Sequence, residues 1–245
     1  MAHQYLSEDL GEPEMGTVAV VAGPEARHAV TVSRLAVGEQ VQVGNGAGLV
    51  ATGTVTDAAA AEFRFRVESV ETHARPQPAI WLAQALAKGD RDELAIQAAT
   101  ELGVDGVIPW SAARSVARWE GPKIAKGRER WAAVVREATK QSARAWLPEI
   151  SPLVTTKQLA RLAEDAVLVV LDPAASQSIT SAAATLPEGR DIVLVTGPEG
   201  GIAPGELELL YGAGAIGARL GTGILRTSTA GPAAIAVLSA TLGRW

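Results

Sequence analysis

Three short segments contain the residue types best suited to holding a small ligand. They are Leu171–Pro173, Thr196–Ile202 and Leu220–Thr227, and the last two are rich in glycine. Each follows or includes the end of a short apolar run that is typical of a β-strand. Glycine lets a ligand approach the backbone closely and leaves amide groups free to bond it. A tight strand-to-helix turn uses glycine in the same way, so either interpretation fits a single loop. Three such loops favour a binding cleft.

Several kinds of chemistry are excluded or poorly supported. The middle loop lacks the glycine, lysine and serine or threonine spacing of a phosphate loop, and it also lacks the glycine order of dinucleotide folds. The chain has no cysteine, so disulfides, thiolate metal sites and cysteine nucleophiles are ruled out. Its three histidines, His3, His28 and His73, are not at metal-ligand spacing. We therefore expect no metal.

The elements that must position these loops change character along the chain. The first 72 residues read as short strands separated by turns, which predicts a small, mostly β domain that is closed or nearly closed. A stiff joint follows at Arg75–Pro78. Beyond it, unbroken apolar strands alternate with helical patterns, and this predicts a parallel sheet covered on both faces. Ligands of such sheets gather at the carboxyl ends of the strands, so we expect the three loops to converge there.

Charge and the start of the chain add two expectations. The net charge is −5, yet basic residues concentrate between Arg114 and Arg144. This stretch fits a selective RNA contact on an acidic protein, although a solvated helix face explains the charge equally well. The first residues show neither a basic cluster nor an apolar run, so we expect a soluble, cytoplasmic protein that does not enter a membrane.

Five ordered blocks together resemble one known family. The run Gly197-Pro198-Glu199-Gly200-Gly201 is followed, some twenty residues on, by a block from Leu220 to Thr227, and both are similar to motifs of the ribosomal RNA small subunit methyltransferase E family. The other three blocks resemble that family's signatures in order and spacing. They lie at Arg27–Gly38, Lys88–Pro109 and Arg114–Ile150.

The resemblance implies a fold, a cofactor and a substrate. Residues 1–74 would form a PUA-like RNA-binding β-barrel, and residues 78–245 a SPOUT domain with a parallel sheet and a deep trefoil knot. The family's members resemble one another in forming homodimers and in using S-adenosyl-L-methionine to methylate N3 of a uridine in 16S rRNA of the small ribosomal subunit. No metal or membrane would be involved.

The resemblance also implies roles for individual residues. The cofactor would be held by Leu171, Asp172, Pro173, Thr196, Gly197, Glu199, Gly200, Gly201, Ile202, Leu220, Gly221, Ile224, Leu225, Thr227 and Ala230. RNA would contact Arg27, His28, Arg34, Arg114 and Arg144, the last two with a further role across a dimer as an alternative. For His28 the alternative is a hydrogen bond in the domain core. Trp119, Trp131 and Trp146 are candidates for stacking on bases, with buried packing expected for Trp131.

Arg226 and Glu199 are the predicted catalytic residues. Uracil N3 loses a proton before it attacks, and a guanidinium aimed at a flanking carbonyl oxygen would stabilise the resulting anion. Arg226 is our candidate for that guanidinium, with a structural salt bridge as the alternative. Glu199 would orient the cofactor amine or help to remove the proton, or else cap the following helix.

Two other functions compete with this interpretation. Another SPOUT methyltransferase acting on a ribose 2′-hydroxyl would share the domain, but such enzymes tend to carry a different first block. A non-catalytic RNA-binding factor for ribosome assembly would keep the basic stretch without needing three ligand loops at neighbouring strand ends.

Overall fold

The computed structural model describes residues 3–245, and the chain forms two compact units. The first unit comprises the chain up to Arg75 together with Thr139–Leu147, and the second comprises Pro76–Ala138 and Pro148–Trp245. The return of Thr139–Leu147 to the first unit has no signal in the sequence. Within residues 3–245, every helix is too short or too polar to cross a membrane.

The first unit is built on a five-stranded sheet in the order β1-β3-β4-β5-β2. Only β1 and β3 are parallel, and the other neighbours pair antiparallel. The strands, in chain order, are β1 (His3–Leu6), β2 (Val18–Ala22), β3 (Gln40–Gly44), β4 (Leu49–Ala59) and β5 (Glu62–Thr72). The predicted mostly β architecture is confirmed, although β1 was not predicted.

The alternation of residues along β5 fixes which face of this sheet is buried. Phe63, Phe65 and Val67 point into the core, while the residues between them are exposed, as the period of two in a strand requires. Tyr5 packs on Phe63 with ring centroids 5.5 Å apart. These large side chains provide the apolar burial that holds a small domain together.

A short helical segment connects β2 and β3. It consists of α1 (Pro24–Arg27), which runs directly into a wider π-type turn over His28–Val32. The sequence predicts helix over Arg27–Leu35, so the helix begins and ends earlier than expected. Proline at the first helical position explains the earlier start.

The second unit contains a parallel sheet in the order β12-β10-β11-β6-β7-β8, with β9 pairing with β7. All of its strand pairs are parallel, which confirms the prediction. Its strands are β6 (Ile80–Ala85), β7 (Gly106–Ser111), β8 (Glu149–Ile150), β9 (Val154–Thr155), β10 (Val167–Leu171), β11 (Ile192–Thr196) and β12 (Ile216–Ala218).

Helices connect these strands, as expected for a sheet whose neighbours run in the same direction. The helices are α2 (Arg91–Glu101), α3 (Pro122–Gln141), α4 (Thr156–Arg161), α5 (Ile179–Ala183), α6 (Pro204–Gly212) and α7 (Thr227–Thr241). The predicted bounds of α3 were wrong at both ends, because the sequence pattern places it at Gly127–Ala145. The helix begins with Pro122, and Ala143 beyond its end is left-handed with φ 51°.

The central strands β6 and β11 are almost completely buried, so their apolar side chains have apolar neighbours on both faces of the sheet. A buried ion pair secures the end of the chain: Arg244 Nη2 lies 2.8 Å from Asp105 Oδ2, and the same carboxylate oxygen accepts the Ile80 N–H. Strand β6 and the chain end are thus tied to one carboxylate.

Candidate active site

Three neighbouring strands end at one edge of the parallel sheet. Strand β10 lies between β11 and β12 and pairs with both, so their carboxyl ends lie side by side. They end at Leu171, Thr196 and Ala218. The three loops singled out in the sequence begin at or just after these residues.

These loops enclose a cavity of about 530 Å³. This volume falls within the range of about 300–1,000 Å³ of small-ligand pockets. The cavity is lined by Arg91, Leu171, Asp172, Pro173, Thr196, Gly197, Pro198, Glu199, Gly201, Ile202, Leu207, Ala218, Leu220, Gly223, Ile224, Leu225, Arg226, Thr227 and Ala230. The expected convergence of the three loops is therefore observed.

Every residue predicted to hold the cofactor lines this cavity except Gly200 and Gly221. Gly200 packs against Arg114 instead, since a Cβ built on Gly200 would lie 3.2 Å from the Arg114 Cβ. Gly221 has φ +75°, a left-handed conformation that favours glycine. Both glycines shape the loops rather than the cavity wall.

The glycine loop after β11 requires glycine at Gly197 for lack of space and favours it at Gly201 because of the backbone conformation. A Cβ on Gly197 would lie 2.6 Å from Ile202 Cγ1, and Gly201 has φ +71°. The Gly201 N–H donates to the Pro198 carbonyl at 2.8 Å, which closes a turn. This turn brings backbone groups to the cavity wall.

Thr227, the first residue of α7, is fixed to the glycine loop by its hydroxyl group. The hydroxyl donates to the Gly197 carbonyl at 2.8 Å and accepts from Gln84 Nε2 at 2.9 Å. Gln84 lies on β6 and is fully buried. These bonds hold the start of α7, and with it Arg226, at the mouth of the cavity.

Two buried oxygen atoms beside the cavity have no hydrogen-bond partner among the described residues. They are the Thr196 hydroxyl and Gln84 Oε1. Buried polar atoms normally have partners, and a group left without one costs about 1–3 kcal/mol. Thr196 lines the cavity, so its hydroxyl is available to a bound ligand.

Glu199 is tied to the segment that precedes α2. Its Oε1 accepts the Lys88 backbone N–H at 3.0 Å and a hydrogen bond from Arg91 Nη1 at 3.2 Å. It does not cap α6, because Glu206 Oε2 accepts the Ala203 N–H at the start of that helix. The capping alternative for Glu199 was therefore wrong.

Arg226 lines the cavity and is exposed. Among residues 3–245 its guanidinium makes no ion pair or hydrogen bond, although its backbone carbonyl accepts the N–H groups of Thr229 and Ala230. The structure therefore gives no support to a salt-bridge role. Its charge is free to interact with a ligand.

Asp172 brings a second carboxylate to the cavity. Its Oδ2 accepts the Tyr211 hydroxyl at 2.8 Å, and its Oδ1 accepts the Ala174 N–H at 2.9 Å. Partial burial, the hydrogen bond to Asp172 and the nearby charge of that carboxylate together raise the pKa of Tyr211 to about 12. Tyr211 therefore remains a neutral donor at neutral pH.

The predicted RNA-contacting residues of the first unit lie on its short helical segment and just beyond it. Arg27, His28 and Arg34 are all exposed. No side-chain partner for them exists within residues 3–245, and Arg34 has φ 57°. The core hydrogen bond considered for His28 was wrong, because its ring faces solvent.

The remaining predicted RNA-contacting residues and tryptophans have individual surroundings. Arg114 Nη1 donates to the Gly200 carbonyl at 3.1 Å, which places this arginine beside the glycine loop. The carbonyl of Arg144 accepts a hydrogen bond from the Gln4 side chain.

Trp131 is buried as expected and packs edge-on against Trp119. Trp146 donates to the His73 carbonyl, so it is held within the first unit.

Sequence reasoning missed five residues of the cavity wall, namely Arg91, Pro198, Leu207, Ala218 and Gly223. Pro198 and Gly223 lie inside two of the predicted ligand loops, so their position in the sequence could have identified them as residues of the cavity wall. Arg91 lies near the start of the block Lys88–Pro109, which carries part of the family resemblance. Its place depends on the ion pair with Glu199, which is distant in sequence.

Comparison with known proteins gives consistent matches over both units. The model of an RNA methyltransferase domain matches residues 74–239, and that of an RNA methyltransferase PUA domain matches residues 21–68. The chain is 42% identical over 238 residues to the ribosomal RNA small subunit methyltransferase E of Mycobacterium bovis, covering 95% of this chain and 90% of that protein. The protein of the same name from Bacillus subtilis is 32% identical, with 89% and 88% covered.

The fold is also similar to that of a solved structure. The chain is similar to a methyltransferase of Legionella pneumophila determined in complex with the cofactor SAM. The TM-score is 0.86 at 30% sequence identity, and 98% of each chain is covered.

Proposed function

Because the chain belongs to the ribosomal RNA small subunit methyltransferase E family, we propose that it transfers a methyl group from S-adenosylmethionine to N3 of a uridine in 16S rRNA. The observation that carries this proposal is the convergence of three strand-end loops on one cavity. The guanidinium of Arg226 lies at the wall of this cavity and has no partner within residues 3–245. The family match alone would not say which residues bind the donor.

The cavity fits the cofactor that this reaction needs. Leu171, Ile202, Leu220 and Leu225 provide an apolar wall for the adenine, and the turn closed by Gly201 offers backbone groups. The unpartnered Thr196 hydroxyl offers a polar contact. The cofactor supplies a methyl group on a positively charged sulfur, which needs no metal to react. What remains for the protein is mainly positioning, which is a large part of the catalysis of a two-substrate reaction.

Arg226 is the residue that we place at the reacting base. When uracil N3 loses its proton, negative charge spreads onto the neighbouring carbonyl oxygens. A fixed guanidinium near such an oxygen stabilises this anion, and Arg226 has no competing partner among the described residues. Holding Thr227 against Gly197 and Gln84 would keep the guanidinium in place.

For Glu199 we propose an orienting role rather than that of the proton acceptor. Its carboxylate already accepts two hydrogen bonds at Oε1, from the Lys88 N–H and from Arg91 Nη1, so this oxygen is engaged by protein donors. The bonds hold the segment before α2 at the cavity wall. The carboxylate is thereby placed to orient the cofactor amine.

The RNA would be held by arginines outside the cavity. We take residues 1–74 as a PUA-like RNA-binding domain and assign its Arg27 and Arg34 to the rRNA backbone, since guanidinium groups bind phosphates well. We assign the exposed His28 beside them to the same RNA contact. Arg114 and Arg144 are assigned to the same substrate, Arg114 beside the reacting base because it contacts the glycine loop. Because the proposed substrate is ribosomal RNA, we propose a cytoplasmic location for the reaction.

Two architectural features belong to the same proposal. Residues 78–245 would form a SPOUT domain whose end threads a trefoil knot, which is supported by the path of α7. This helix packs against β11 and β6 although the preceding strand, β12, lies at the sheet edge. The active form would be a homodimer, and the exposed Ile224 beside the cavity would then be covered by the partner.

Two measurements on the full-length protein test the proposed function. Calorimetry should detect binding of S-adenosylmethionine, and no binding would favour the assembly-factor alternative. Small subunits from a strain lacking this gene should then be incubated with protein and cofactor, and the 16S rRNA mapped by mass spectrometry. One methyl group on a uracil base is expected, whereas a methyl group on ribose would favour the 2′-hydroxyl alternative.

A further inference from the structure

We propose that the carboxylate of Asp172 makes the cavity bind the positively charged methyl donor more tightly than the uncharged product left after transfer. This inference rests on the proposed function, since it concerns the cofactor of that reaction. It assigns to Asp172 the discrimination between fresh and spent cofactor.

The surroundings of Asp172 leave its negative charge uncompensated. Its two hydrogen-bond donors, the Tyr211 hydroxyl and the Ala174 N–H, are both neutral. No lysine, arginine or histidine within residues 3–245 forms an ion pair with it. The other carboxylate of the cavity, Glu199, lies 3.2 Å from Arg91 Nη1 and is therefore neutralised locally.

Asp172 is also held in place by its hydrogen bonds. Tyr211 reaches it from α6, and partial burial together with the neighbouring carboxylate raises the pKa of this phenol to about 12. The Ala174 N–H fixes the other carboxylate oxygen through a local turn. The carboxylate is thus a fixed negative charge at the cavity wall.

The reaction changes the charge of the cofactor. The donor has a sulfonium, an ammonium and a carboxylate, and therefore a net positive charge. Once the methyl group has moved to the base nitrogen, the sulfur is a neutral thioether and the product has no net charge. A fixed negative charge attracts the donor and is indifferent to the net charge of the product. Coulomb attraction does not depend on a particular contact.

The size of the effect is limited by solvent, because Asp172 is only half-buried. With screening of this kind we expect a preference of roughly five-fold for the donor over the product from this one charge. The positive charge of Arg226 repels the positively charged donor and so opposes the preference. This contribution is the same in the parent protein and in Asp172→Asn. A change in the ratio of the two affinities therefore reports Asp172 alone. The consequence for the protein is weaker inhibition by its own product.

Calorimetry of the full-length protein with S-adenosylmethionine and with S-adenosylhomocysteine tests the inference. Asp172→Asn should weaken donor binding about five-fold, leave product binding nearly unchanged and so reduce the ratio of affinities. Asp165→Asn is the matched control. It removes the same charge at the opposite end of β10, on an exposed residue, and should leave the ratio unchanged.

Tyr211→Phe separates charge from hydrogen bonding, because it removes a donor and keeps the carboxylate. It should preserve the ratio of the two affinities. The inference is overturned if Asp172→Asn weakens both ligands equally or neither, or if Tyr211→Phe lowers the ratio as much as Asp172→Asn. If the parent protein binds neither ligand, the proposed function itself fails, which is a distinguishable result.

Discussion

Two regions that the sequence marks as functional differ in whether the fold brings their residues together at one site. The three strand-end loops are far apart in the chain, yet they line one cavity. The basic residues between Arg114 and Arg144 are neighbours in the chain, yet many of them are engaged separately. Arg118 donates to the carbonyl oxygens of Ala112 and Ala113, and Arg128 donates to that of Ile150.

Two further cations of the basic stretch are neutralised by carboxylates. Arg130 pairs with Asp90 and with Glu93. Lys140 is buried in the first unit, where its Nζ lies 3.3 Å from the Glu25 carboxylate. The local basic face predicted for this stretch therefore has fewer unpaired cations than the sequence suggests. The exposed lysines Lys123 and Lys126 are its clearest remaining members.

The contrast has a physical cause. Parallel pairing forces the carboxyl ends of neighbouring strands to one edge, so loops that follow such strands meet whatever their separation in sequence. A charged side chain, by contrast, forms ion pairs or hydrogen bonds with the groups that lie near it in the tertiary structure, and these are not evident from local sequence. Position relative to strands therefore predicts function better here than local charge does.

The loop side of the comparison can be tested most strongly at Arg226. Arg226→Ala should retain cofactor affinity and lower turnover by about 100- to 1,000-fold, because a preorganised donor to the developing anion is removed. Calorimetry and a methyl-transfer assay on small subunits measure the two effects. Arg161→Ala, an exposed arginine on α4, is the control. Unchanged turnover in Arg226→Ala would remove the assignment.

The parts of the fold that the sequence predicts are those set by local pattern. The sequence predicts strands at Val167–Leu171 and Ile192–Thr196, and β10 and β11 have these bounds, because each is an apolar run ended by turn residues. The two-residue strands β8 and β9 were missed, since their only cause is pairing with β7. The boundaries 1–74 and 78–245 stay a prediction, and the return of Thr139–Leu147 depends on tertiary packing that no local pattern encodes.

The same limit applies to the site. The cavity wall was predictable from the loops that follow the strands. The bond from Thr227 to Gln84 and the pair of Glu199 with Arg91 were not, because each joins segments far apart in sequence. These unpredicted bonds are the ones that fix the orientation of the predicted residues.

The basic side of the comparison is tested by the stability of the Lys140–Glu25 pair. Lys140→Met should lower the free energy of unfolding by about 3 kcal/mol, because it leaves a carboxylate buried without its cation. Urea unfolding of the full chain measures this. Lys126→Met, on the same helix but exposed, should change the stability by less than about 0.5 kcal/mol. If both substitutions change the free energy of unfolding equally, the pair of Lys140 with Glu25 does not stabilise the fold and Lys140 behaves as a solvent-exposed lysine.

RNA binding distinguishes the exposed lysines from the paired arginine. Lys123→Ala with Lys126→Ala should weaken binding to 16S rRNA several-fold and reduce the slope of log affinity against log salt by roughly 1 for each phosphate that is no longer neutralised. Arg130→Gln should leave the slope unchanged, since its guanidinium is occupied by two carboxylates. Filter binding at several salt concentrations measures the slopes. An equal reduction in both variants would mean that the ion pairs of Arg130 open to meet RNA.

The smallest expected effect concerns the tyrosine that holds the cavity carboxylate. Its pKa is raised from 10.0 to about 12 in the folded protein, so the fold retains this proton more tightly than the unfolded chain does. The resulting stabilisation is complete below about pH 10 and is lost as the pH rises toward 12. Tyr211 is more than one third exposed, so solvent screening reduces the contribution to about 1 kcal/mol.

Tyr211→Phe should remove this alkaline loss of stability. Urea unfolding at pH values from about 8 to 11 should therefore show a difference in stability between parent and variant that shrinks as the pH rises. Tyr5 is present in both proteins, so its own titration cancels in the comparison. A difference that stays constant across this range would mean that Asp172 does not hold the phenol proton.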